Sequence, residues 1–363
     1  MKKVCIVTIT LGSNFGNRLQ NLALQETIAA LGHQVETVRN LTGDSKILRT
    51  FPVLLKIMEG IAANKQVCLF LNFFIKNPRI KKKICFLGFN KNYIKWSPYI
   101  VIKDQIPRAF KNDYDIYVCG SDQIWNPDMK FNSDIEFLPF VKREKKVAYA
   151  ASFGTNDLPN GYLERISFYL SDFNYISVRE KRALEFLKQI HRSDALLALD
   201  PTMLLTAKEW ERREQRPDFE TEEYSYILSY NLKTKTADSE KFIQDLSVKK
   251  NLKIIDLLDH KQADYYGIGP LEFIYLIHHA AIVCTDSFHA TVFSLLYHKN
   301  FIVFDRKHMN SRIDTLLEIA DMTDRKFSGL ENIEMDFSRY DCFEKNLNKK
   351  RKQSTEFLIK ALH

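Results

Sequence analysis

The amino-terminal region holds the pattern that most restricts how this chain can fold. Lys3 to Thr10 (KVCIVTIT) is short, β-branched and largely apolar, which is typical of a strand buried on both faces of a parallel sheet. Asn17 to Leu31 then carries apolar residues near helical spacing, and Gly32 predicts the end of that helix. Gln34 to Val38 predicts a second strand. This βαβ unit indicates the opening of a doubly wound α/β sheet.

Polar residues follow each further strand that the first half predicts. These strands are Tyr114 to Cys119, Val147 to Ala151 and Tyr175 to Val178. The first runs into Gly120-Ser121-Asp122-Gln123 and the last into Arg179-Glu180. Because the carboxyl ends of parallel strands line the ligand crevice of an open sheet, we expect these clusters to converge in space.

A second set of strands is predicted after a polar stretch that we take as a domain boundary, between about Leu196 and Ser225. Its members are Tyr226 to Tyr230, Lys253 to Leu257, Ala281 to Thr285 and Phe301 to Phe304. The expected fold class is therefore α/β, with two Rossmann-like domains facing across a cleft. We expect an N-terminal α/β domain at 1–200, a C-terminal α/β domain at 201–340, and a basic helix at 341–363 that packs back on the first domain.

Composition narrows the classes of partner and cofactor. The 363 residues carry a net charge of +8, which favours an anionic partner. The sequence has no zinc-finger spacing and no long basic arm, so we expect no nucleic-acid partner. The six cysteines form no CxxC pair and do not cluster with histidines at ligand spacing, so no metal is expected. With no signal peptide and no apolar run of membrane-spanning length, we expect a cytoplasmic protein.

One segment leaves two interpretations open. The stretch from Thr50 to Asn77 is helical in pattern and unusually apolar, and basic residues follow it up to Lys83. It is either a pair of packed helices with a solvated linker or a membrane-surface patch at 50–83. In the second case, apolar side chains enter the headgroup region and lysines contact anionic lipid at the inner face of the cytoplasmic membrane.

Four short strings of the chain carry a family resemblance in their order and spacing. They are Gly16-Asn17-Arg18-Leu19-Gln20-Asn21, Gly120-Ser121-Asp122-Gln123-Ile124-Trp125-Asn126-Pro127, Ile176-Ser177-Val178-Arg179-Glu180 and Thr285-Asp286-Ser287-Phe288-His289-Ala290-Thr291. Together they resemble the polysaccharide pyruvyl transferase family over about residues 1 to 325. The resemblance implies a fold similar to that of GT-B glycosyltransferases. It also implies formation of a pyruvate ketal on a sugar of a bacterial surface polysaccharide or its lipid-linked precursor, with phosphoenolpyruvate as donor and no cofactor.

The reaction that the resemblance implies assigns chemistry to named residues. Protonation of C3 of the donor needs a general acid, and His289, just past a strand end, is the candidate. Asp122 is the candidate base for a sugar hydroxyl, although it could equally cap the next turn. Arg179 and Arg312 are candidate clamps for the anionic donor, or else form salt bridges between the domains. Several relatives carry an arginine where this chain has Ser287, so another cation must serve if that arginine binds the donor.

Acceptor recognition is assigned to the first domain and donor binding to the second. The amides of Asn14, Asn17 and Gln20 suit sugar hydroxyls, although their loop could simply form a tight turn. The ring of Trp125 suits the C–H face of a pyranose, or else packs beneath Asp122. Ser287 is counted with the donor-binding residues, at the start of a helix whose free amides are available to phosphate.

Two other functions compete with pyruvyl transfer. The same fold could serve a GT-B glycosyltransferase with a nucleotide-sugar donor, because fold does not fix function. We identify no acidic ribose-binding residue that would favour it. A non-catalytic glycan-binding or assembly protein is the third interpretation, and the concentration of Arg, His, Asp and Asn at strand ends argues against it.

Overall fold

The structure, a computed structural model, describes most of the chain. Its described residues are 1–43, 46–50, 52–64, 66–67, 70, 74–102, 105–129, 134–220, 224–233, 236–306, 310–329 and 336–363. They divide into two compact units, Met1–Gly60 with Asn90–Leu205 and Asn348–His363, and Ile61–Phe89 with Thr206–Leu347. Residues 61–89, which the sequence placed in the first domain, thus group with the second unit. Part of the apolar segment (residues 51, 65, 68–69 and 71–73) lies outside the described residues.

The first unit contains a seven-stranded sheet whose ladders are all parallel. The strands are β1 (Lys3–Val7), β2 (Gln34–Asn40), β3 (Trp96–Val101), β4 (Ile116–Cys119), β5 (Lys146–Ala151), β6 (Tyr175–Val178) and β7 (Leu196–Leu197). Their order is β3-β2-β1-β4-β5-β6-β7. The apolar run that predicted β1 pairs with β2 on one side and β4 on the other. The chain order reverses between β1 and β4, which is the topological switch point of such a sheet.

The second unit contains a four-stranded parallel sheet. Its strands are β8 (Tyr226–Tyr230), β9 (Lys253–Asp256), β10 (Ile282–Thr285) and β11 (Asn300–Val303), in the order β11-β10-β8-β9. Two units, each with a parallel sheet, confirm the predicted α/β class with two domains.

Helices connect the strands, as the parallel topology requires. They are α1 (Phe15–Ala30), α2 (Lys46–Thr50), α3 (Pro52–Ala63), α4 (Pro78–Tyr93), α5 (Tyr162–Ser171), α6 (Lys181–Gln189), α7 (Ala207–Glu211), α8 (Ala237–Lys250), α9 (Ala263–Tyr266), α10 (Pro270–His279), α11 (Phe288–Leu296), α12 (Ser311–Ala320) and α13 (Arg339–Leu362). Within the described part of the chain, no helix combines the length and hydropathy needed to cross a bilayer.

The carboxyl-terminal half of α13 belongs to the first unit and packs beside its sheet. The Ser354 Oγ accepts a hydrogen bond from the Leu199 N–H (3.0 Å), and Arg351 Nε donates to the carbonyl of Met203 (2.9 Å). The Phe357 ring lies 6.2 Å from that of Tyr149 on β5. The end of the chain therefore packs against β5 and against the segment that follows β7.

Lys82, one of the lysines expected to face lipid, is buried. Only 7% of it is exposed, and its Nζ lies 5.2 Å from the centroid of the Tyr266 ring. Its neighbour Lys81 pairs with Asp264 at 2.9 Å. Lys82 cannot contact a membrane in this position, because α4 turns it toward α9, whereas Lys83 is exposed. The basic patch that the sequence suggested is therefore smaller than its run of lysines.

Replacing Lys82 with methionine should stabilise the protein at neutral pH. Burial lowers the pKa of Lys82 from 10.5 to about 8, so the folded state binds fewer protons there than the unfolded chain between those values. The destabilisation that results from burying the charged amine is complete below the pKa of the folded state and disappears as the pH rises toward 10.5. We expect Lys82→Met to raise the free energy of unfolding by about 1–3 kcal/mol near pH 7 and by much less near pH 10. Urea denaturation at both pH values measures this, with Lys83→Met as the exposed control. An equal gain at both pH values would contradict it.

Candidate functional site

The switch point of the first sheet joins two of the four strings described above, those that contain Gln20 and Ser121. Gln20 on α1 has no exposed surface, and its Nε2 donates to Thr8 Oγ1 (3.0 Å). The backbone N–H of Ser121, after β4, donates to Gln20 Oε1 (3.2 Å), and Thr8 Oγ1 donates to the Ser121 carbonyl (3.2 Å). Gln20 therefore ties the end of β1 to the end of β4. In this structure it holds the site together and presents no group to a sugar.

Asn14 and Asn17 shape the loop that precedes α1. Asn14 is the N-cap of the helix, because its side chain accepts a hydrogen bond from the Asn17 N–H (3.2 Å). Asn17 is buried and Asn14 half-buried, so Asn14 is the more accessible of the two. Arg18 holds the same loop by donating to the carbonyls of Thr10 (2.7 Å) and Gly12 (2.9 Å). We did not single out Arg18 from the sequence.

An arginine between two carboxylates lies beside the switch point. Arg179, directly after β6, donates from Nη2 to Asp122 Oδ1 (2.8 Å) and from Nη1 to Asp200 Oδ2 (2.6 Å). All three side chains are at least 95% buried. The Oδ1 of Asp200 also accepts from the Thr202 N–H (3.0 Å), which starts a short 3₁₀ helix. Asp200 was read from the sequence only as part of a domain crossover. No sequence signal pointed to it, because the strand that it follows, β7, has only two residues.

The charges around Arg179 favour a structural role for it. Burial alone would lower the pKa of Arg179, but Asp122, Asp200 and Glu180 raise it. Glu180 is itself buried and accepts hydrogen bonds from Ser152 Oγ (2.9 Å) and from a backbone N–H of the loop after β5. Three carboxylates thus surround one guanidinium. A phosphate would meet excess negative charge here, so these contacts favour a structural ion pair over the donor clamp. The ion pairs lie within the first unit, whereas the alternative predicted them between the domains.

Trp125 lies in the core of the first unit. None of its surface is exposed, and its ring stacks on Phe137 with an interplanar angle of 6° and contacts Phe153 and Phe173. The expected stacking on a sugar ring is therefore excluded in this structure. The alternative, packing beneath the turn that carries Asp122, describes its position.

The turn from β10 into α11 positions the candidate acid of the second unit. Ser287 is the N-cap of α11, because its Oγ accepts from the Ala290 N–H (3.5 Å), and its own N–H donates to Thr285 Oγ1 (3.0 Å). His289 follows in the first turn of the helix and is 6% exposed. It thus lies at the carboxyl edge of the sheet, where ligands of parallel sheets bind. Ser287 caps the helix here and was expected to contact the donor.

Two buried arginines lie at the same edge as the motif histidine. Arg306, after β11, donates from Nη2 to Asp286 Oδ1 (2.8 Å), and Asp286 also accepts from the backbone N–H of Leu232 (2.6 Å). The guanidinium of Arg312, in the first turn of α12, lies 5.9 Å from the centroid of the Phe288 ring. We predicted Arg312 but not Arg306, although Arg306 also follows a strand end.

Unused hydrogen-bonding capacity remains at this edge. Among the described residues, neither Nε of Arg306 nor Oδ1 of Asn231 has a hydrogen-bond partner, and both atoms are buried. Asn231 directly follows β8 and donates to Ser229 Oγ (3.1 Å). The carboxyl edge of the second sheet therefore offers a charged donor and a neutral acceptor to a ligand.

A separate group in the second unit has the composition of a metal site. Potential ligand atoms of Glu214, His278 and His279 all lie within 4.8 Å of one another. The Nδ1 of His278 is 3.0 Å from Glu214, and the Nε2 of His279 is 3.3 Å from it. These contacts with Glu214 fit a structural role for both histidines. A cavity of about 330 Å³ that includes His279 lies beside it, at the amino ends of β8 and β10, opposite the edge with His289.

The structure places the predicted residues in two groups. Asn14, Asn17, Gln20, Asp122 and Arg179 belong to the first unit, and Ser287, His289 and Arg312 to the second. The family model for polysaccharide pyruvyl transferases matches residues 14–308, which contain all of them except Arg312. A search of curated proteins finds no match. Because the family model covers most of the chain, the chain belongs to the polysaccharide pyruvyl transferase family.

Proposed function

We propose that the protein transfers a pyruvyl group from phosphoenolpyruvate to two hydroxyls of a sugar, forming a ketal and releasing inorganic phosphate. In this proposal the acceptor is a bacterial surface polysaccharide or its lipid-linked precursor; the family match supports a polysaccharide acceptor. The observation that carries the proposal is the position of His289 at the carboxyl edge of the second sheet. There Asp286 holds Arg306, and Arg312 contacts Phe288, so an acid lies among cations.

The chemistry of the donor requires these two kinds of group. Proton transfer to C3 turns the enol ether into an oxocarbenium-like centre at C2, which a sugar hydroxyl attacks. Cleavage of the bond between C2 and the phosphate oxygen then lets a second hydroxyl close the ketal. The two hydroxyls lose two protons, which balance the one added to C3 and one carried away with phosphate. We assign the C3 proton to His289, and the donor phosphate and carboxylate to Arg306 and Arg312.

The first unit supplies the acceptor chemistry in this proposal. Asp122 accepts a hydrogen bond from a sugar hydroxyl, and Arg179 with Asp200 fixes its carboxylate. An ion pair with Arg179 keeps Asp122 ionised, so it orients the hydroxyl well and takes up its proton weakly. Asn14 is the most accessible of the amides that were expected to bind sugar. We propose that it contacts the acceptor.

Product analysis tests the proposed reaction. Incubation with phosphoenolpyruvate and lipid-linked oligosaccharides should release inorganic phosphate and add the mass of one pyruvyl ketal to the acceptor. A glycosyltransferase would instead consume a nucleotide sugar and release a nucleotide. Nucleotide release without phosphate release would therefore reject pyruvyl transfer in favour of that alternative.

Chelation should leave the activity unchanged. Arginines can neutralise the donor, so the proposed reaction needs no Lewis acid. Phosphate release is therefore expected to persist at its full rate after treatment with EDTA and removal of the chelate. Loss of activity that magnesium restores would contradict this. The variant Glu214→Gln would then show whether the group of Glu214, His278 and His279 holds the ion.

A further inference from the structure

Helix α3 presents most of its large apolar side chains to solvent, whereas Leu55 and the charged Glu59 are buried. Val53 is 65% exposed, Ile57 is 53% exposed, and Leu54 and Met58 are exposed as well. Their spacing of one and four residues places them on one face of the helix. Glu59 has no exposed surface and forms a bidentate ion pair with Arg39 on β2 (2.8 and 2.6 Å). An ordinary surface helix instead buries its apolar face and exposes its charged side chains.

Such a face requires an explanation that single exposed apolar residues do not. Isolated exposed leucines or valines are common on soluble proteins. Four large apolar side chains on adjacent turns form a contiguous patch, and such patches mark sites of association with proteins or membranes. The bidentate ion pair of Glu59 fixes the helix in this orientation. Rotating the helix to bury its apolar face would break the ion pair and leave Arg39 buried without that partner.

The positive charge of the chain is concentrated in the part of the sequence that contains this helix. Residues 46–93 contain ten lysines and arginines and one acidic residue, Glu59, so their formal charge is +9. The whole chain carries +8, so the remainder is close to neutral. Lys56 is exposed on α3 itself. In the second unit's part of this stretch, Lys76, Arg79 and Lys83 are exposed, as are Phe70, Phe74 and Ile80.

We propose that the apolar face of α3, formed by Val53, Leu54, Ile57 and Met58, docks on an anionic lipid bilayer. The four side chains enter the boundary between headgroups and acyl chains, and Lys56, exposed on the same helix, remains among the anionic headgroups. A second copy of the chain is the competing occupant of this face. Charge disfavours it, because a symmetric contact would bring two segments of +9 together. The proposal does not depend on the reaction proposed above.

Co-sedimentation of the full chain with vesicles tests the proposal. We expect binding to vesicles of phosphatidylcholine mixed with phosphatidylglycerol, weaker binding at high salt, and little binding to phosphatidylcholine alone. The double variant Val53→Ser, Ile57→Ser should lower the affinity by roughly tenfold or more. Phe168→Ser, which removes an exposed apolar side chain elsewhere in the first unit, should leave the affinity unchanged.

The electrostatic part has its own matched pair. Lys56→Glu is expected to weaken binding about fivefold or more, the equivalent of about 1 kcal/mol per basic residue near the surface. Lys349→Glu makes the same change at an exposed position of α13 and should have little effect. Thermal unfolding checks that every variant is folded. Vesicle binding that survives the serine double variant would overturn the proposal. So would self-association, measured by analytical ultracentrifugation, that the double variant abolishes in a protein that does not bind vesicles.

Discussion

Replacing His289 with glutamine is expected to lower turnover by about 10²–10⁴, the usual contribution of a general acid, while the affinity for phosphoenolpyruvate changes only a few fold. Glutamine preserves hydrogen-bonding capacity at the start of α11 but cannot deliver a proton to C3. The measurement is steady-state phosphate release with varied donor concentration, together with donor binding by calorimetry. The rate–pH profile gives a second readout, because the alkaline decline that a required imidazolium produces should be absent from the variant.

A second histidine of the same helix region provides the control. His298 follows the other end of α11 and contacts Glu344 (3.0 Å), far along the helix from the proposed chemistry. His298→Gln should therefore keep wild-type turnover. If His289→Gln turns over normally, or loses only donor affinity, the histidine binds the donor and does not protonate it. The acid would then have to be sought among the other groups of the site.

Sequence patterns located all four strands of the second sheet and the inner strands of the first sheet, and they missed the two edge strands of the first sheet. The run that predicted β8 has the bounds observed in the structure, because all five of its side chains are buried and apolar or small. Edge strand β3 escaped prediction because it contains Pro98, and its alternately exposed side chains give no continuous apolar run. Strand β7 has only two residues and no pattern to detect. A run of consecutive apolar residues is therefore what makes a parallel strand visible in a sequence, and β3 and β7 lack one.

The sequence also predicted the positions of candidate site residues better than it predicted the side chains that they contact. The rule that polar residues at strand ends gather at one edge led to Asp122 and Arg179, which are 2.8 Å apart in the structure. It did not reveal Asp200 as the second partner, because that contact depends on how β6 and β7 pair. Nor could it give side-chain direction. Trp125 and Lys82 occupy the predicted positions but point into the protein, and only tertiary packing decides that.

The buried group of Arg179, Asp122 and Asp200 should make Arg179→Met strongly destabilising. Removal of the guanidinium leaves two carboxylates buried without compensation, and breaking a buried ion pair in this way typically costs about 3–5 kcal/mol. Urea denaturation measures the loss. Tryptophan fluorescence is a suitable signal, because Trp96 and Trp125 both lie in the first unit. Arg182→Met is the matched control. Arg182 lies on α6 in exposed ion pairs, so its loss should cost at most about 1 kcal/mol.

A double-mutant cycle separates the ion pair from the general loss of packing. Asp200→Asn alone leaves Arg179 with one ion-pair partner, Asp122. Added to Arg179→Met, the same change removes one of the two carboxylates that have lost their ion-pair partner. The second change should therefore cost less in the variant than in the wild type, or restore stability, with a coupling of about 0.5–3 kcal/mol. Strictly additive effects would contradict a role for the ion pairs. Kinetics of the folded variants then distinguishes the two functions considered for Arg179. A donor clamp requires the KM for phosphoenolpyruvate to rise, whereas a residue that positions Asp122 requires the effect to fall on the acceptor KM and on kcat, with donor affinity unchanged.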